Sequence, residues 1–99
     1  MKSVSPFKPH YGTNQVVSPA VASASITLDK NDTSVRIINS GAAIGYFRLG
    51  LSPQTATAAD CPVNIGQTIV VEKSMLSDTL AHISATGTTF QIMTGEGGL

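Results

Sequence analysis

From residue 21 onward the side chains alternate with a period of two rather than 3.6, and this pattern excludes most helical architectures. Ala24, Ile26 and Leu28 alternate with Ser23, Ser25 and Thr27, as a half-buried strand requires. A second strand is predicted over Val35-Arg36-Ile37-Ile38, with Val35 and Ile37 on one face. Ile44 to Leu49 predicts a third, with Phe47 and Leu49 on one face and Tyr46 and Arg48 on the other. Thr68-Ile69-Val70-Val71-Glu72 is strongly β-branched, which suits a pleated surface. Thr79 to Ala85 sets Ala81, Ile83 and Ala85 against Leu80, His82 and Ser84, and Thr89 to Met93 is the last strand.

Turn signals separate these runs. They are Asp29-Lys30-Asn31-Asp32, Asn39-Ser40-Gly41, Asn64-Ile65-Gly66-Gln67, Ser74 to Asp78 and Ala85-Thr86-Gly87-Thr88. Gly50 to Pro62 is a longer loop with room for a short edge strand. Asn39-Ser40-Gly41 reads as a turn because Asn and Gly accept positive φ, and Gly87 offers the left-handed position of a tight hairpin. One helical alternative exists, over Lys73 to Ile83, where Met75, Leu76, Leu80 and Ile83 partly fit period 3.6. Thr79 and Ser84 weaken it, and the strand is retained. The fold class expected is all-β, a small antiparallel β-sandwich or barrel, jelly-roll-like, with an extended N-terminal arm.

Residues 1–20 stand apart. They hold Pro6, Pro9 and Pro19, Lys2 and Lys8, His10 and no acid. Proline cannot donate to a central sheet ladder, so this stretch reads as an extended arm with Phe7 and Tyr11 as anchors. Either it is a frayed terminus or it lies on a neighbouring subunit. The expected division is an arm over residues 1–20, a β-sandwich domain over 21–94 and a flexible tail over 95–99.

At 99 residues the chain is one domain. Charged residues make up 12%, against roughly 25% in ordinary domains. Six bases balance six acids, so the formal net charge is zero. That argues against a binder held to nucleic acid by phosphate contacts, which needs a basic excess. The balance is uneven along the chain. Residues 1–20 carry two lysines and no acid, while residues 21–99 carry four bases and six acids. A mildly basic arm on a mildly acidic domain favours a salt-sensitive contact with another copy or an acidic surface.

Tryptophan is absent, so the core must come from Ile, Val, Leu and a few Phe and Tyr. Such a core supplies only a few kcal/mol, and one cysteine, Cys61, cannot staple it. Homo-oligomerisation is the remaining source of stability. No apolar run reaches membrane-span length, and no secretory leader is visible. Synthesis in a bacterial cytoplasm is expected, where Cys61 stays reduced.

No residue pattern points to catalysis. Gly95-Glu96-Gly97-Gly98 opens no helix and so presents no helix-terminal amides to a phosphate. His10 and His82 are the only histidines, and no Cys or His pair has zinc spacing. Asp29 and Asp32 share a turn but fall short of the six or so oxygens calcium needs. A triad of a serine, His82 and Asp60 or Asp78 can be written on paper, without a nucleophile-elbow motif to support it. His82 reads instead as a strand histidine at a surface or subunit contact. Cys61, beside Asp60, reads as a small, partly buried thiol that is not activated. Asn31-Asp32-Thr33 matches the glycosylation triplet, which has no force without a secretory leader. No catalytic residue, cofactor or metal is expected.

The chain resembles a family of small bacteriophage virion proteins encoded among head genes. The resembling pieces are Val35-Arg36-Ile37-Ile38-Asn39-Ser40-Gly41, Tyr46-Phe47-Arg48-Leu49-Gly50, Ala56-Thr57, Asp60-Cys61-Pro62-Val63, His82-Ile83-Ser84-Ala85, Gly87-Thr88-Thr89 and Thr94-Gly95-Glu96-Gly97. They cover about two-thirds of the chain and leave residues 1–30 unmatched. At Gly95 the chain departs from the family pattern, which often places Pro before Glu-Gly. The resemblance implies a β-sandwich virion component, a capsid decoration or cement protein. The expected partners are the major capsid protein and copies of this chain, as a dimer or trimer. The expected location is the outer capsid surface. Expected partner contacts are Phe7, His10 and Tyr11 in the arm and Glu96 in the tail. The alternatives are a tail or baseplate accessory protein and a host-surface carbohydrate-binding module.

Overall fold

The computed structural model describes residues 6–98 and contains no helix among them, so none long and apolar enough to cross a membrane. Its strands are β1 (Lys8–Pro9), β2 (Gln15–Val17), β3 (Ala24–Thr27), β4 (Ser34–Asn39), β5 (Gly45–Gly50), β6 (Cys61–Val63), β7 (Thr68–Glu72), β8 (Thr79–Ile83) and β9 (Phe90–Glu96). Over Lys73 to Ile83, β8 displaces the helical alternative, and Lys73 to Asp78 is a loop. Residues 1–5 and Leu99, the extreme ends of the expected arm and tail, lie outside the described residues.

Two antiparallel sheets pack together as a sandwich rather than closing into a barrel. The first runs β1–β9–β4–β7, with β2 also on β9; the second runs β3–β8–β5–β6. The pairing is nested. β5 pairs with β6, β4 with β7, β3 with β8, and β1 and β2 with β9. Successive pairs alternate between the two sheets. The chain is therefore one long hairpin rolled up on itself, which is the jelly-roll arrangement.

The strands form where alternation calls for them. Val35 and Ile37 are fully buried while Arg36 and Ile38 are half-buried on the opposite face. Phe47 is buried and Arg48 exposed. With Leu28, Val63, Leu80, Phe90 and Ile92 these residues make the core between the sheets. β8 buries both faces. Leu80 and His82 point inward, across from Leu49 and Phe47 of β5. Ala81 is on the outer face, yet fully buried. The loop after β5 explains this. Arg48 Nη1 donates to Thr55 O at 3.2 Å and Ala56 N donates to Ser23 Oγ at 2.8 Å, which draws the loop across β8 from β5 towards β3.

The proline-rich N-terminal segment is built into the first sheet of its own chain. Lys8 is opposite Glu96, Pro9 opposite Gly95, and Gln15 to Val17 opposite Ile92 to Phe90. Pro9 is tolerated because this is a sheet edge, where a missing N–H leaves no ladder bond unmade. Gly95 and Glu96, placed in the tail by sequence, are the last residues of β9, because β1 and Ser34 of β4 continue the ladder to that point.

Asn39 ends β4 and is buried. Its Nδ2 donates to Ala43 O at 2.8 Å and to Val63 O at 2.9 Å. Its Oδ1 accepts from Gly41 N at 3.0 Å and Thr88 Oγ1 at 2.8 Å. One side chain thus joins the first sheet to β6 of the second and to the β8–β9 turn. Gly41 is glycine because a Cβ would strike Thr88 and the Thr89 backbone, and its φ is not positive. Gly87 does hold a positive φ of 88°, as the hairpin reading requires.

Asn39→Ala strips partners from two carbonyls, an amide and a hydroxyl at once. It is expected to destabilise the fold by about 3 kcal/mol or more. Thr88→Val, which removes one of the four bonds, is expected to cost about 1 kcal/mol. Urea denaturation of both variants measures the difference.

Candidate interaction surfaces

The structure gathers a polar cluster where the N-terminal segment meets the β3–β4 loop. His10 follows β1 and is anchored there by its own N–H, which donates to Thr94 O at 2.9 Å. Its Nδ1 lies 2.7 Å from Asp32 Oδ2 and 3.5 Å from Asp29 Oδ2. Thr94 Oγ1, from β9, donates to the same Asp32 oxygen at 2.6 Å. Asp29 also accepts from Asn31 N at 2.8 Å, which holds the turn that presents both carboxylates.

Behind the loop, Lys73 is buried. Its Nζ donates to Asp32 O at 3.0 Å, Ser74 O at 3.2 Å and Lys30 O at 3.4 Å. Burial pushes the Lys73 ammonium below its usual range, and the charges of Asp32, Asp29 and Asp78 oppose that. The Asp32 hydrogen bond, then its charge, raises the His10 pKa; the slight burial opposes this and Asp29 adds to it.

His10, Asp29 and Asp32 offer three ligand atoms within 4.8 Å of one another, a set that sequence spacing did not reveal. Asp32 Oδ2 already receives His10 and Thr94, and the Lys73 ammonium adds positive charge nearby. The arrangement therefore latches the N-terminal segment to the loop by a hydrogen bond that becomes an ion pair when His10 is protonated.

Phe7 is half-buried, with its ring 5.4 Å from the Arg36 guanidinium carbon. Arg36 sends Nη2 towards Met93 Sδ at 3.7 Å, and its Nε has no partner among the described residues. Glu96 is exposed opposite Lys8. Pro6, Lys8, Glu96 and Gly97 line a surface cavity of about 140 Å³, well below the roughly 300–1,000 Å³ of small-molecule sites. Of the four sequence-nominated contact residues, Phe7, His10 and Glu96 thus lie along β1 and the strand end it pairs with. Tyr11 stands off in the turn before β2, 84% exposed.

Two assignments are corrected. His82 is buried rather than at a surface, since the inward phase of β8 carries it between Ala24 and Phe47. Its Nδ1 has no partner among the described residues, and burial lowers its pKa. Cys61 is exposed rather than partly buried, because it opens the short edge strand β6. The paper triad is not assembled. Asp60 is engaged with Thr57 N at 2.7 Å and Arg48 Nε at 3.7 Å, and Asp78 with Ser52 N and Thr79 Oγ1.

The two histidines make opposite contributions to stability. His10 has a raised folded pKa, so its contribution is complete below its unfolded pKa of about 6.5 and is lost as pH rises through the folded value. His82 has a lowered folded pKa, so below about 6.5 the unfolded chain takes up a proton that the fold does not, and stability falls with pH. His82→Leu is expected to hold its melting temperature better than the parent between about pH 7.5 and pH 5, and His10→Gln to lose more over that range. Thermal melts of the three proteins at several pH values check both signs.

No family model matches the chain, and neither does any curated protein or solved structure.

Proposed function

We propose that this chain is a bacteriophage structural protein that decorates the outer surface of a capsid as a homo-oligomer and reinforces it. The observation that carries the reading is the nested strand order of the two sheets, the jelly roll, an architecture found in viral capsid proteins as well as in lectins and cupins. Because that fold also serves ligand binders, the choice among them rests on surfaces. The cavity at Pro6 and Glu96 is too small to enclose a sugar or cofactor, and His82 Nδ1 has no hydrogen-bond partner among the described residues. A decoration protein needs a small fold and adhesive loops only, because a coat repeats each contact many times and weak contacts add up. The resemblance of residues 35–97 to small virion proteins points the same way.

On this reading the capsid contact is made through the N-terminal turn. Tyr11 is the exposed aromatic there, and the His10–Asp32 latch holds the turn in place. An aromatic anchor of this kind supplies a large share of the binding energy at many interfaces. Deleting residues 1–18 would also remove β1 and β2, so a point variant is the cleaner probe. Tyr11→Ala is expected to leave the melting temperature unchanged and to weaken association with capsids about tenfold or more. Unchanged capsid occupancy would take the turn out of the interface. Immunogold electron microscopy of particles tests the location itself. Label on heads supports decoration, label on tails or baseplates transfers the protein to the tail apparatus, and unlabelled particles overturn the virion assignment.

A further inference from the structure

We propose that β7 is the self-association edge of this protein, pairing antiparallel with β7 of a second copy so that the first sheets of two molecules become one continuous sheet. The inference supplies the self-association part of the reading above and rests on it only there. It requires nothing of the capsid.

A free strand edge exposes a row of N–H and C=O groups, and proteins that stay apart blunt such edges with proline, charge, brevity or cover. The sandwich has four edges, and three are blunted. The β1–β2 edge is split by the turn at Tyr11 and Gly12 and carries Pro9. β6 is three residues long with Pro62 at its centre. β3 is flanked by the loop bonded at Ser23, and Gln15 Nε2 donates to its Thr27 carbonyl at 2.9 Å.

β7 is less protected: its one charge is the terminal Glu72, and Gly98 lies beside the Val70 side chain and not along the strand's open edge. The strand is five residues long, contains no proline, glycine or lysine, and among the described residues pairs only with β4. Ile69, Val70 and Val71 are only half-buried.

The ladder to β4 shows which groups of β7 are free. Lys73 N donates to Thr33 O at 2.8 Å, and Asn39 N donates to Gln67 O at 3.0 Å. Hydrogen-bonded pairs alternate along an antiparallel ladder. Between those two bonds, Ile69 and Val71 turn their peptide groups to β4. Thr68, Val70 and Glu72 turn theirs to the open edge.

That edge is self-complementary about Val70. A two-fold axis there pairs Val70 with Val70 of the second copy and Thr68 with Glu72 of the second copy. Glu72, the strand's single charge, faces a threonine and not its own like. The second copy is further favoured by the absence of formal net charge, which leaves no long-range repulsion between molecules.

Sedimentation velocity and light scattering on the purified full chain over a range of micromolar concentrations test the proposal. A reversible dimer is expected. Val70→Pro removes an outward N–H and leaves the β4 ladder intact, and Val70→Lys adds the charge that edge strands ordinarily carry. Each is expected to raise the dimer dissociation constant about tenfold or more. Circular dichroism and melting of the variants diluted to monomer establish that they fold. Hydrogen exchange gives a readout without mutation, with the amides of Thr68, Val70 and Glu72 slowing as concentration rises. A chain that is monomeric throughout overturns the proposal. So does a dimer indifferent to both variants, or one whose Thr68, Val70 and Glu72 amides exchange at the monomer's rate. Each of these outcomes leaves capsid attachment to its own test.

Discussion

The Asn39 side chain is the interaction on which the sandwich depends. Its four hydrogen bonds reach along its own turn, across to β6 and over to the β8–β9 connection. The core holds only Phe47 and Phe90 as buried aromatics, so burial alone leaves a thin margin. In that setting a fully satisfied buried amide does what further apolar area cannot. It has directional partners in both sheets and in a turn, so it selects one alignment of the layers among many that would bury similar area. Gly41 completes the junction by letting Thr88 and Thr89 approach the β4–β5 turn closely.

A second polar junction secures the opposite end of β4. Asp32 receives His10 and Thr94, and Lys73 takes up the carbonyls of the same loop. The N-terminal segment is thereby bound to the rest of its own chain by backbone pairing and by the His10–Asp32 contact. His82 is the counterweight, an imidazole inside the sandwich whose burial disfavours protonation and whose Nδ1 has no hydrogen-bond partner among the described residues. One histidine gains from protonation and the other opposes it, so their contributions to the pH dependence of stability have opposite signs.

The surfaces divide by role. The N-terminal turn presents Tyr11, the β7 edge presents unpaired backbone, and the end of the sandwich near Asp78 presents Leu51, Met75 and Leu76 to solvent. The first two suit the proposed decoration role, one for attachment and one for self-association. They sit on different elements of the first sheet, so each can be altered without disturbing the other.

The sequence by itself determined where the six longer strands form, β3 to β5 and β7 to β9, while β1 and β2 were legible only as an extended arm and β6 only as room for a short strand. β7 matches its predicted range residue for residue, and the buried pair Val35 and Ile37 and the turn at Gly87 are equally legible. These properties are local, since a period of two and a turn residue act within a few positions of themselves. Phe7, His10 and Glu96 were visible as residue types, but not as neighbours. Tertiary structure alone decided the pairing, because β3 meets β8 and β1 meets β9 across most of the chain's length, and no local pattern encodes such a partner. It also decided which face of β8 is inward. Both of its faces carry small or apolar residues, so only the loop folded over Ala81 and the core beneath Leu80 and His82 separate them. Asn39 shows the same limit most plainly. Its sequence signature is that of a turn, and only the arrival of Val63 and Thr88 from distant parts of the chain makes it the buried junction between the sheets.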